Sequence, residues 1–235
     1  MTGIVNINKP LGKTSHFVVA VARRITKIKK IGHTGTLDPL ATGVLPICIG
    51  RESTKLSQVI MDGDKCYQAV IGLGMTTTTQ DAEGEILEQR EVCATEEQIR
   101  QAVEKFIGEL SQVPPMYSAI KIDGKKLYQL ARKGIEVERQ PRKVTIYDIS
   151  ILRIDLEQKE VVILVHCSKG TYIRTLCQDI GEEIGCGGYM KSLIRTRCGS
   201  FRLEDSITLE EFETLWNQGR FEEFLIPPEH FLGLK

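Results

Sequence analysis

Residues 143–156 and 160–167 read as two strands joined by a turn near Glu157-Gln158-Lys159. Further strand-like runs fall at 3–8, 44–49, 67–71 and 85–91, and residues 189–202 are largely extended. Helical spacing is spread among them. Ser15 reads as an N-cap, and Val18, Val21, Ala22 and Ile25 then mark a helix over 16–28. A short helix is expected at 53–61. Thr95 with Gln98 forms a capping-box pattern ahead of a helix over 96–107. Helices follow at 171–184 and at 208–216, the last opened by Thr208. Strands and helices mix without strict βαβ alternation, so the expected class is α+β with a mostly antiparallel sheet. No clean linker interrupts the pattern, and one compact domain is the default.

A chain of 235 residues can bury a core without disulfides or metals. No run approaches the ~18 consecutive apolar residues of a transmembrane helix. The first residues show neither the basic nor the apolar part of a secretory signal. The seven cysteines are dispersed and contain no C-x-x-C pair. They read as buried thiols of a reduced, cytoplasmic protein rather than as zinc ligands.

The net charge is zero, 31 basic against 31 acidic residues, but the signs are segregated. Residues 23–30 carry Arg23, Arg24, Lys27, Lys29 and Lys30 without an acid. Residues 121–143 carry eight bases against the three acids Asp123, Glu136 and Glu138. Residues 190–202 add Lys191, Arg195, Arg197 and Arg202. Such blocks build either a polyanion-binding face or an ordinary solvated surface.

Gly12-Lys13-Thr14 resembles the tail of a P-loop, but Ile7 stands where the first glycine belongs, so that reading fails. No H-E-x-x-H, EF-hand or G-x-S-x-G pattern occurs. The unusual segment is residues 32–45, GHTGTLDPLATGVL, in which three glycines and three threonines surround Asp38. Glycines permit positive φ and close approach of a ligand. An acid among Leu37, Pro39 and Leu40 needs a compensating partner to stay ionised. An ordinary Asp-Pro turn explains the same letters. Residues 168–174, SKGTYIR, place Arg174 in the first turn of a helix, where a cation opposes the macrodipole. Arg174 then has a specific anionic partner, for which Asp38 is a candidate, or it is an exposed surface residue. Residues 112–121, QVPPMYSAIK, mix aromatic and basic groups suited to loop RNA or to a plain surface loop.

These segments, with residues 3–15 and with Arg195-Thr196-Arg197-Cys198-Gly199-Ser200-Phe201, occur in an order that closely resembles the TruB family of tRNA pseudouridine synthases. The resemblance spans roughly residues 3 to 215. It implies the pseudouridine synthase fold, a mixed, mainly antiparallel sheet with flanking helices and a central RNA-binding cleft. It implies an isomerase that converts uridine-55 in the T loop of tRNA to pseudouridine, without cofactor or metal. By the same resemblance Asp38 is the essential aspartate, acting as nucleophile or as base, and Arg174 its partner. Tyr67 stacks on the target base. By that resemblance His33 helps hold the flipped-out loop, Tyr172 and Leu193 contact the uracil, and Lys9 with Pro10 shapes the pocket floor. Residues 114–142 match a mobile thumb, and residues 23–30 are expected on the RNA face. The partner is the tRNA T arm, and the protein is expected to be a cytoplasmic monomer away from membranes.

Two departures stand out. Thr78 occupies a place where the family often has an acid, with Asp81 retained nearby. After an expected catalytic domain over 1–203, residues 204–235 are expected to form a short acidic extension rather than a full PUA-type module. Two other readings stay open: the same isomerisation on another stem-loop RNA, and a non-catalytic RNA-folding chaperone.

Overall fold

The computed structural model describes residues 1–122 and 124–231. Asp123, counted above among the acids of the basic stretch, and residues 232–235 of the expected extension lie outside the described residues. The chain opens with β1 (Gly3–Lys9), α1 (Ser15–Thr26), β2 (Ile31–His33) and β3 (Ala41–Ile49). Two short helices, α2 (Gly50–Lys55) and α3 (Ser57–Asp62), lead into β4 (Lys65–Leu73). Then come β5 (Met75–Thr77), β6 (Ile86–Gln89), α4 (Glu96–Glu104) and β7 (Gly108–Gln112). The basic stretch folds into β8 (Lys121–Ile122), β9 (Lys125–Lys126) and α5 (Leu127–Ala131). The long hairpin is β10 (Arg142–Asp155) and β11 (Glu160–Cys167), followed by α6 (Ile173–Ile184) and β12 (Gly188–Cys198). The chain continues through β13 (Phe201–Arg202), α7 (Leu209–Asn217) and β14 (Leu225–Ile226).

Two compact units emerge. The first contains Met1–Tyr67 and the chain from Leu193 onward, and the second is Gln68–Ser192. In the first, β1 pairs antiparallel with β3 from Gly3 opposite Ile49 to Lys9 opposite Gly43. β2 also pairs antiparallel with β3, whereas β12 meets β3 in parallel. Alternation along these strands sorts two apolar layers. Val5, Ile7, Leu45, Ile47 and Ile49 pack with Val18, Ala22 and Ile25 of α1 and with Leu209 and Phe212 of α7. Ile4, Val44 and Cys48 pack on the other face with Ile60, Cys198, Phe201 and Phe231. The second unit centres on the β10–β11 hairpin, with β7 pairing antiparallel along β10. No helix of the described residues is long and apolar enough to cross a membrane.

The expected elements recur with three local corrections. The helix expected at 53–61 is divided into α2 and α3 at Leu56, whose backbone closes one and opens the other. The N-cap of α1 is Thr14, whose side chain accepts from the Phe17 amide, because the Ser15 hydroxyl is engaged elsewhere. The helix expected to run to residue 107 ends at Glu104, and strand β7 follows where no strand was expected. Gly108, at φ +115°, turns the chain out of the residues after α4 and starts the strand. The capping boxes at Thr95 and Thr208 both form.

Gly181 yields a stability prediction. In a helix interior, alanine is preferred to glycine by about 1 kcal/mol. A Cβ at Gly181 would lie 2.3 Å from the Gly188 nitrogen and 2.4 Å from the Gly187 carbonyl carbon. Those atoms are backbone, tied to the Gly181 carbonyl by the amides of Gly185, Cys186 and Gly187, so they cannot swing aside. Overpacking wins over propensity: Gly181→Ala should lower stability by about 2 kcal/mol in urea unfolding.

Candidate active site

Residues 34–40 connect β2 to β3 and carry Asp38, which is half-buried. Positive φ at Gly35 (+102°) and Gly43 (+101°) bends the chain into and out of this segment. Gly43 is also where β3 meets β12, with Arg195 as its register partner. A Cβ at Gly43 would lie 2.3 Å from the Arg195 carbonyl oxygen, so no other residue fits there unchanged.

The residues on either side of Asp38 are held from three directions. The Ser15 hydroxyl accepts from the Leu37 amide at 2.9 Å and donates to the Leu37 carbonyl at 3.1 Å. The Pro39 carbonyl accepts from the Gly12 amide at 2.9 Å and from Lys9 Nζ at 3.4 Å. Lys9 is fully buried, and its ammonium also donates to the carbonyls of Pro10 and Lys13. The Ala41 amide closes a turn on the Asp38 carbonyl at 3.1 Å. Arg195, 1% exposed, donates from Nε to the Val44 carbonyl (2.7 Å) and from Nη2 to the Gly35 carbonyl (3.3 Å).

The same unit holds His33, Tyr67 and Leu193. Leu193 is buried and sits opposite Ala41 in the β12–β3 ladder. Tyr67, also buried, lies on β4. His33 ends β2, edge-on to His16 at 5.4 Å between ring centroids. Burial, followed by the nearby His16 and the positive Arg195, pushes the His33 imidazole down to about 4, so it is neutral at physiological pH.

The second unit holds Tyr172 and Arg174. Tyr172 is the N-cap of α6, and the Gln112 side-chain amide grips its backbone by accepting from the Tyr172 N–H (2.8 Å) and donating to its carbonyl (3.0 Å). Arg174 is buried in the first turn. Its Nη1 lies 3.5 Å from Asp81 Oδ2, and it donates to the carbonyls of Thr79 (3.3 Å) and Tyr117 (2.9 Å). Asp81 is buried as well, and its other oxygen accepts from Thr79 Oγ1 and the Glu83 amide. Arg174 thus has the anionic partner that its helix position demanded, and within this unit the acid is Asp81. Farther along the basic stretch, Lys126 and Arg132 flank the Tyr128 ring at 5.6 and 5.4 Å.

Sequence reasoning missed Ser15, Asp81 and Arg195 as parts of these sites. Ser15 carried a cap signal that pointed elsewhere. Asp81 was noted only as an acid retained in the Thr-rich run and Arg195 only as part of a motif, because their partners are distant in the chain. Among the described residues, no group of three or more His, Cys, Asp or Glu side chains is placed to hold a metal.

Two predictions follow from these environments. The folded state resists protonation of His33, so the unfolded chain gains a proton first as pH falls from 6.5 towards 4. Stability attributable to this group is complete well above pH 6.5 and declines through that window, by at most about 3 kcal/mol. His33→Gln should flatten that part of the stability–pH curve measured by urea unfolding. Asp81→Ala strips a buried guanidinium of a charge partner and should lower stability by about 3 kcal/mol at neutral pH.

Comparison with known proteins places the chain. The description "TruB family pseudouridylate synthase (N terminal domain)" matches residues 23–173, and "tRNA pseudouridylate synthase B C-terminal domain" matches residues 174–232. A protein of Alkaliphilus oremlandii (strain OhILAs) named tRNA pseudouridine synthase B is 56% identical over 230 residues, covering 98% of this chain and 75% of that one. Its namesake in Clostridium tetani (strain Massachusetts / E88) is 50% identical over 99% of this chain and 78% of its own. A chain in the crystal structure of a Cbf5-Nop10-Gar1 complex superimposes with a TM-score of 0.75 at 32% identity. That match covers 97% of this chain and 60% of the other. The α+β fold expected from the resemblance is therefore the fold observed, and the chain belongs to the TruB family of pseudouridylate synthases.

Proposed function

We propose that this protein is a tRNA isomerase that converts uridine to pseudouridine, with uridine-55 of the T loop as its target. The bond between uracil N1 and ribose C1′ breaks, the uracil turns, and C5 bonds to C1′. N1 takes up a proton, and C5 gives up its hydrogen to water. The observation that carries this reading is the bracing of the Asp38 loop, in which Leu37 and Pro39 are held on both sides of one carboxylate. A reacting carboxylate gains most from a fixed position, since misplacement by an ångström forfeits orders of magnitude in rate. A turn serving only to reverse the chain needs no such support.

In this proposal Asp38 attacks or deprotonates the ribose of a flipped-out nucleotide, with Arg174 as the partner of its carboxylate. Tyr67 stacks on the uracil. Tyr172 and Leu193 line the base, and His33 holds the extruded loop as a neutral donor or acceptor. Lys9 acts through the Pro39 carbonyl, shaping the floor beneath the carboxylate. Extruding a stacked uridine costs a few kcal/mol, which phosphate contacts from residues 114–142 and 23–30 offset. The two Tyr128 cation–π contacts support an RNA-facing role for the former stretch. All seven cysteines are free and five are buried, which supports work in a reducing compartment such as the cytoplasm. The related proteins named tRNA pseudouridine synthase B support tRNA as the substrate.

Release of tritium from C5-labelled tRNA transcript tests the chemistry directly. Wild type should release it, and Asp38→Asn should lose about three orders of magnitude in rate while retaining tRNA binding. Release by Asp38→Asn at the wild-type rate would overturn the role of Asp38. Wild-type product mapped outside the T loop would move the target to another stem-loop. Binding without release by either protein would favour an RNA chaperone.

A further inference from the structure

Arg195 is among the largest fully buried side chains of the protein, and the mechanism above does not use it. We propose that Arg195 is a positioning residue that ties the Asp38 loop to strand β12, a role that rests on the isomerase reading of that loop.

The geometry has three parts. First, the guanidinium reaches carbonyls on both flanks of the catalytic loop, Gly35 before Asp38 and Val44 after it. Second, its backbone is set by the close meeting of Gly43 with Arg195 in the β12–β3 ladder, so the anchor point does not move independently of the loop. Third, no carboxylate among the described residues forms an ion pair with Arg195. A buried cation without an acid is unfavourable for stability, and an apolar side chain of similar size would fill the space better. Its hydrogen-bonding reach is what such a side chain lacks. A planar fork serves the two carbonyls from two separate nitrogens, Nε and Nη2, whereas all the donors of an ammonium leave one compact point.

The consequence concerns two groups of the proposed pocket. Leu193, assigned to the uracil, precedes Arg195 by two positions on β12, and alternation puts both on one face of the strand. The arginine therefore references the carboxylate loop to the strand that also carries a base contact. Its charge also acts on the His33 imidazole, favouring the neutral ring.

Full-length wild type, Arg195→Lys and Arg195→Met are compared by tritium release over a range of tRNA transcript concentrations, alongside tRNA binding and thermal melting. Assays run well below every melting temperature, with rates expressed per folded molecule. A positioning role predicts a fall in kcat of about a hundredfold for Arg195→Met, with KM and tRNA affinity within about threefold. Arg195→Lys, able to reach one carbonyl, should recover about tenfold of that loss. A lowered melting temperature with kcat unchanged would overturn the proposal and leave a structural role only. A raised KM at unchanged kcat would also overturn it, in favour of an RNA contact. Should Arg195→Met fail to fold, wild-type kcat in Arg195→Lys would overturn it alone. Absence of release by the wild type would sink the isomerase reading, and the positioning role with it.

Discussion

The close meeting of β3 and β12 at Gly43 is the constraint on which the Asp38 loop depends. The two strands run parallel there, and the missing side chain lets the backbone of Arg195 come within a distance that any Cβ would violate. That approach sets where the loop ends, where Arg195 starts, and how far its guanidinium reaches. The antiparallel ladder between β1 and β3 supplies the other reference, since Lys9 is the register partner of the same Gly43. One glycine is therefore flanked by the two basic residues that hold the loop.

A recurrent device runs through the first unit. Buried cationic side chains are directed onto backbone carbonyls, which binds loops that lack regular hydrogen bonding. Lys9 engages Pro10, Lys13 and Pro39, Arg195 engages Gly35 and Val44, and Lys65 engages Met61 and Gly63 ahead of β4. Charge-assisted hydrogen bonds are roughly twice as strong as neutral ones, and a buried ammonium or guanidinium offers several in fixed directions. The electrostatic result is a positive interior beside the Asp38 loop. Burial first, and then the nearby His16 and Arg195, keep His33 neutral.

The second unit solves the corresponding problem differently. Arg174 enters at the N-terminal end of α6, an unfavourable place for a cation, and is held there by Asp81 and by two carbonyls. Asp81 in turn is fixed by the Thr79 hydroxyl and the Glu83 amide, so the Thr-rich turn between β5 and β6 serves as the seat of the arginine. The Tyr117 carbonyl links that seat to the start of the basic stretch. Gln112 performs a parallel task for Tyr172 by gripping its backbone on both sides.

Local patterns were enough to read most elements, because their causes are local. Strand-like runs marked β1, β3, β4 and the β10–β11 hairpin, a capping-box pattern marked the start of α4, and Thr208 marked that of α7. The glycine-rich stretch around Asp38 and the helix-opening Arg174 stood out for the same reason, since each breaks a local expectation. Ser15 was misread because the same hydroxyl suits a helix cap and a distant amide, and only folding decides between them. By itself the sequence determined the α+β class, most element positions and the identity of Asp38 and Arg174 as the residues to watch. Tertiary structure alone decided that Asp81 pairs with Arg174 and that Arg195, Ser15 and Lys9 brace the Asp38 loop. Those contacts join residues far apart in the chain, and their energy comes from burial and from carbonyl directions that exist only once the strands are in register.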